Sequence, residues 1–202
     1  MRMNLPNQIT VGRFFLAIIV LILLSLFDYA HRDTQLWMIH AAFWLFLVAA
    51  ISDILDGYLA RRNNQITAFG RIIDPFADKL LVVGSYVLLL GDGFFDRGVN
   101  VAGLYAWMVV IVVARELFVS GLRGFSEASG KAFGANWWGK CKMLLQCICL
   151  GWILQSLSGL RDVAWFVEAL PVVVHVMVIF TALSAVSYLL AAGDALSEQS
   201  RG

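Results

Sequence analysis

The chain has 202 residues, of which 60% are hydrophobic and 14% charged, with a mean hydropathy of +0.79 and a net charge of +1. Soluble domains average about 25% charged residues, so a soluble globular class is excluded. A net charge of +1 says nothing by itself about nucleic acid, and no nucleic-acid partner is expected.

Crossing the hydrocarbon core takes about 20 mostly apolar residues per helix. In chain order, the expected helices cover residues 9–27, 36–61, 70–90, 99–123, 136–157 and 169–192. A chain in lipid must satisfy its backbone internally. The expected fold class is therefore all-α: one polytopic domain over residues 1–202 with six transmembrane helices. The first block is followed by Asp28-Tyr29-Ala30-His31-Arg32, with no small-residue cleavage pattern, so it reads as a retained helix and not as a removed signal. Connections alternate between the two sides of the membrane. Of the 15 Lys and Arg residues, only Arg32, Arg97 and Arg161 fall on one side. The other side reads as cytoplasmic and holds both termini. The periplasmic connections look like plain turns. Those at residues 62–65 and 124–135 are polar, and the second bears glycines, which places function at the cytoplasmic end of the bundle. Cys141, Cys147 and Cys149 have helical spacing without metal-ligand logic, and read as packing residues.

The second and third helices carry the chemistry. Asp53 and Asp56 stand three apart near the end of the second, and Asp74 and Asp78 four apart in the third. Residues at these spacings share a helix face, and the short connection makes the two helices antiparallel neighbours. Four carboxylates can then converge on one site. An acidic side chain inside a membrane helix costs on the order of 3 kcal/mol, and four would also repel one another, so cations are expected to neutralise them. Hard oxygen ligands without His or Cys suit Mg²⁺ or Mn²⁺, with Ca²⁺ as a competitor. Four carboxylates fit two ions that share ligands, as in two-metal phosphoryl transfer. Gly57 and Ala60 keep the face above the aspartates open, Gly70 permits close backbone approach, and Arg61 suits an anionic phosphate.

Asp53-x-x-Asp56-Gly57-x-x-Ala60-Arg61, eight residues, then Gly70-x-x-x-Asp74-x-x-x-Asp78 resembles in full the signature of the CDP-alcohol phosphotransferase family. The resemblance implies a CDP-linked donor and an alcohol that attacks its β-phosphorus with release of CMP. It implies that Asp53, Asp56 and Asp74 hold metal, and that Asp78 is both a metal ligand and the general base. Asp53, Asp56, Gly57, Ala60, Arg61, Gly70 and Asp74 would contact the cytidine nucleotide.

The signature leaves the acceptor open. Arg115 and Arg123 lie eight apart on the fourth helix, close to two turns, and Lys140 and Lys142 open the fifth. Four cations near one cytoplasmic mouth suggest a dianionic phosphate site. The segments around Arg115-Glu116, Arg123 and Gly139-Lys140-Cys141-Lys142 resemble bacterial phosphatidylglycerophosphate synthases, as do Asn4 to Thr10 with Arg13 and Asp74-Pro75-x-Ala77-Asp78-Lys79-Leu80. That subfamily implies CDP-diacylglycerol and glycerol 3-phosphate as substrates. Arg115, Arg123, Lys140 and Lys142 would then sit on the acceptor phosphate, with Asn7, Thr10 and Arg13 near the pocket. It also implies a homodimer in the bacterial inner membrane. Rival acceptors are phosphatidylglycerol, serine and an inositol phosphate. A cation transporter is a rival of another class, but it predicts carboxylates at the midplane and broken helices. A scaffold without chemistry leaves the four aspartates unexplained.

Overall fold

Six long apolar blocks become six long helices, joined by one short one. The computed structural model describes residues 5–62, 68–128 and 137–199, with side chains for residues 8–52, 73, 76–126 and 137–190. The helices are α1 (Leu5–Leu26), α2 (Arg32–Arg62), α3 (Ala68–Leu88), α4 (Ala106–Ala128), α5 (Trp137–Leu157), α6 (Ala164–Glu168) and α7 (Leu170–Gln199).

Among the described residues, three segments are long and apolar enough to cross a membrane: Gln8–Leu26, Tyr29–Ser52 and Ala164–Leu190. Within α3, α4 and α5 the apolar residues are interrupted by charges, among them Asp78, Arg115, Glu116 and Lys142. The helix spacing sorts each sequence into two faces. On α1, Arg13, Ala17, Val20 and Leu24 recur every three or four residues and are buried, whereas Phe15, Ile19, Ile22 and Leu26 are exposed. Large apolar side chains on an outer face are what a lipid-facing surface requires.

The first helix is the organiser of one half of the bundle, because it packs along both α2 and α3. The other half joins α4 to α7 and α7 to α5, and α5 closes the bundle against α2. The core runs from Ala17, Val20 and Leu24 through Ile39 and Phe46 to Leu150, Ile153 and Leu154.

The fourth helix runs on to Ala128 and the last to Gln199, past the expected ends at residues 123 and 192, and the start of the fourth moves as well. The fourth helix begins at Ala106 and not near residue 99, because residues 95–100 form a small antiparallel hairpin, Phe95 opposite Asn100 and Asp96 opposite Val99. Its turn has Arg97 at φ 48° and Gly98 at φ 82°, the left-handed pair a two-residue hairpin needs. The Asn100 side chain then accepts from the Ala102 amide at 2.9 Å and donates to the Leu89 carbonyl at 2.8 Å. Gly103 at φ 69° makes a second bend before the helix can start. The connection expected to be a plain turn is thus a hydrogen-bonded cap on the end of α3.

Candidate active site

The buried stripes of the helices change character along their length. Towards the start of α3 and α5 and the end of α4 and α7, the apolar residues give way to Asp78, Lys142, Arg115, Glu116, Ser184 and Tyr188. All of these lie at the end of the bundle where α2 runs into α3.

Asp78 is the signature carboxylate whose side chain is described. It forms an ion pair with Arg13, whose Nη1 donates to Oδ1 at 2.6 Å. The two residues are 65 apart in sequence, and α1 brings them together by packing along α3. The Arg13 side chain is almost fully buried, while Asp78 keeps 24% of its side-chain surface exposed. Both line a cavity of about 520 Å³ between α1, α2, α3 and α5. Lys140 lines it too; the rest of its wall is largely apolar and includes Phe43, Leu47 and Cys147. Thr10, one turn before Arg13, is also buried.

The side chains of Asn7, Asp53, Asp56, Gly57, Ala60, Arg61, Gly70 and Asp74 lie outside the described residues. Their helices do not. Asp53 and Asp56 occupy the last three turns of α2, and Asp74 stands one turn before Asp78 on α3. Among the described residues, no group of three His, Cys, Asp or Glu is placed to hold a metal ion. The donor set as a whole is carboxylate oxygen, with Asp78 opening on the cavity, and that chemistry fits a hard divalent cation.

The basic residues divide into separate contacts. Arg115 and Lys142 are buried, and both donate to the same oxygen of Glu116: Arg115 Nη1 at 3.2 Å, and the Lys142 ammonium in a short contact. Arg115 Nε also donates to Ser184 Oγ at 2.9 Å. Arg123 is more exposed, and its Nη2 donates to the Tyr188 hydroxyl at 3.0 Å. Below this cluster Gln146 Nε2 reaches Thr181 Oγ1 at 3.4 Å, and the Tyr86 hydroxyl donates to the Gln146 carbonyl at 2.8 Å. Lys140 stands apart from this chain of contacts, on the wall of the cavity beside Asp78.

Sequence reasoning gave no role to Glu116, Ser184 or Tyr188. For Glu116 a signal existed: an acid next to Arg115 inside an apolar span needs a partner. For the other two the only hint was a Ser and a Tyr four apart on the last helix.

A family model described as CDP-alcohol phosphatidyltransferase matches residues 3–191 of the chain. A protein of Bacillus subtilis (strain 168) named CDP-diacylglycerol–glycerol-3-phosphate 3-phosphatidyltransferase is 38% identical over 156 residues, covering 75% of this chain and 76% of that protein. The protein of the same name from Escherichia coli (strain K12) is 32% identical over 205 residues, covering 98% of this chain and all of its own length.

Proposed function

Because the chain belongs to the CDP-alcohol phosphatidyltransferase family, we propose that it transfers the phosphatidyl group of CDP-diacylglycerol to glycerol 3-phosphate, giving phosphatidylglycerophosphate and CMP. The observation that carries this reading is the meeting of Asp78, Arg13 and Lys140 at the wall of a largely apolar cavity. A lipid-linked nucleotide brings acyl chain and phosphate to one place, and this cavity offers a surface for each. The names of the Bacillus and Escherichia relatives support glycerol 3-phosphate as the acceptor.

The family generally uses divalent metal ions. Asp53, Asp56, Asp74 and Asp78 are the residues that would hold two of them, Mg²⁺ or Mn²⁺, in this chain. Bound there, the ions would neutralise charge on the transferring phosphoryl and on the leaving phosphate. Gly57, Ala60, Arg61 and Gly70, with Asp53, Asp56 and Asp74, would hold the cytidine nucleotide. Asp78 takes the proton from the acceptor hydroxyl. The freed oxygen attacks the phosphorus that carries the diacylglycerol, and the bond to the bridging oxygen breaks, so that CMP departs with that oxygen. Arg13 holds the Asp78 carboxylate in place at 2.6 Å. Lys140, Arg115, Arg123 and Lys142 supply the positive field for the acceptor phosphate, and Asn7 and Thr10 would lie near the pocket.

In this reading the six long helices all cross the bacterial inner membrane in a single domain, with both termini in the cytoplasm. The concentration of Lys and Arg at the Asp78 end supports that orientation, and the chain works as a homodimer.

The test is CMP release by purified protein given CDP-diacylglycerol and Mg²⁺, with glycerol 3-phosphate, phosphatidylglycerol, serine and inositol phosphate offered separately. Release with glycerol 3-phosphate alone, abolished by EDTA, is the expected result. Release with another alcohol discards the acceptor and keeps the chemistry. No release from folded protein with any of them overturns the proposal.

A further inference from the structure

The last helix, α7, contains no Lys or Arg, yet it touches both arginines of α4. Ser184 and Tyr188 stand one turn apart on the same face, and both are fully buried. Ser184 accepts from Arg115 Nε while its own hydroxyl donates to the Thr181 carbonyl at 2.7 Å, which fixes the direction of its lone pairs. Tyr188 accepts from Arg123 Nη2. Its ring also carries the guanidinium carbons of Arg115 and Arg123 at 5.3 and 5.8 Å from the centroid, within cation–π range. Position 139 leaves room for this arrangement: a Cβ on Gly139 would lie 2.8 Å from the Tyr188 hydroxyl, too close for any side chain to share the space.

Arginine side chains are long and rotamer-rich, so two of them hold a fixed separation only when something else sets it. Here the setting is done by α7. Glu116 neutralises part of Arg115, yet Arg115 Nη2 is buried without a hydrogen-bond partner among the described residues. A buried donor left unpaired is costly, and an incoming phosphate oxygen is the group that would satisfy it.

We infer that Ser184 and Tyr188 are positioning residues that hold the Arg115 and Arg123 guanidiniums at the separation the acceptor phosphate requires. The inference rests on the proposal that these arginines bind the phosphate of glycerol 3-phosphate. It adds that the affinity for the acceptor is set from α7, by two uncharged residues that leave the donor alone.

Steady-state kinetics with both substrates varied test it. Tyr188→Phe keeps the ring and removes the hydroxyl. It should raise the KM for glycerol 3-phosphate about tenfold, the loss expected for a hydrogen bond to a charged group, with the KM for CDP-diacylglycerol unchanged. In an Arg123→Ala background the same substitution should add almost nothing, because Tyr188 acts through Arg123. Ser184→Ala should show the same split, and should fall silent in an Arg115→Ala background. It carries the test by itself if Tyr188→Phe does not survive purification. Parallel changes in both KM values, or a full effect of Tyr188→Phe on top of Arg123→Ala, overturn the positioning role. So does an unchanged acceptor KM in Tyr188→Phe when Arg123→Ala raises it. An Arg123→Ala enzyme with a normal acceptor KM instead removes the underlying phosphate site, which separates the two failures.

Discussion

Two clusters of ionic residues occupy opposite ends of the bundle, built from the same kinds of side chain in opposite surroundings. At one end Arg161 reaches Asp33 at 3.7 Å and Asp162 at 3.6 Å, and Arg32 reaches Asp33 at 3.8 Å. These carboxylates are nearly fully in solvent, at 85% and 94% exposure. At the other end Arg115, Glu116 and Lys142 are each no more than 10% exposed at the side chain. Exposed pairs gain little, because water screens the attraction and long side chains lose freedom to form it. Buried charges are expensive to place and expensive to separate. The first cluster therefore trims a surface. The second is retained at a cost, and two cations sharing one carboxylate leave net positive charge inside the protein, which suits an anionic ligand.

The comparison can be broken from the buried end first. Asp78→Asn keeps shape and a hydrogen-bonding side chain for Arg13 but removes the carboxylate proposed as the base. CMP release should fall by about a thousandfold, within the range for a lost general base, with the elution profile in detergent unchanged. Near-normal turnover would remove Asp78 from the chemistry. Glu116→Gln probes stability instead. It leaves Arg115 and Lys142 buried without their shared counter-charge, and should cost about 3 kcal/mol or more in reversible unfolding. A loss no larger than that of a surface variant would mean the two cations are solvated in place, and the contrast between the two ends would collapse.

How much of this was legible beforehand follows the same division. The helices were readable because apolar blocks and their charged borders are local signals, and α1, α2, α3 and α5 fall within a few residues of their expected bounds. The start of α4 was not, since residues 99–105 are apolar enough to extend a helix and only backbone turns at Arg97, Gly98 and Gly103 prevent it. Within the site, Asp78 was readable from its spacing to Asp74. Its ion pair with Arg13 was not, because nothing in the sequence says that α1 lies along α3. The four cations were legible as a set, but their partition was not: which of them faces Glu116, which faces Tyr188 and which faces the cavity depends on helix rotation. Ser184 and Tyr188 are the hardest case, since Ser and Tyr in an apolar helix ordinarily serve packing.

The exposed end supplies the smaller effects. Arg161→Ala removes contacts to Asp33 and Asp162 and should change unfolding stability by no more than about 0.5 kcal/mol, the usual scale for solvent-exposed pairs. A shift several times larger would show that this cluster braces the junction of α2 with α5.

The smallest effect is one of pH. Asp28 caps the turn at Tyr29–His31: its Oδ1 accepts from the Ala30 amide at 2.9 Å, and its Oδ2 faces His31 Nδ1 at 3.1 Å. The amide hydrogen bond first, and His31 second, hold its carboxyl below the usual value of 3.8. A carboxyl whose pKa is lowered by folding stabilises the folded state only while it is ionised. Its contribution is fully present above 3.8 and is lost as pH falls through the lower folded value. Asp28→Ala should therefore lower the unfolding temperature slightly at pH 6. The gap between variant and parent should narrow in acid and nearly close once Asp28 is protonated in both states. A gap that stays constant down to pH 3 would mean that Asp28 acts through shape alone, and that even this exposed carboxylate contributes nothing by its charge.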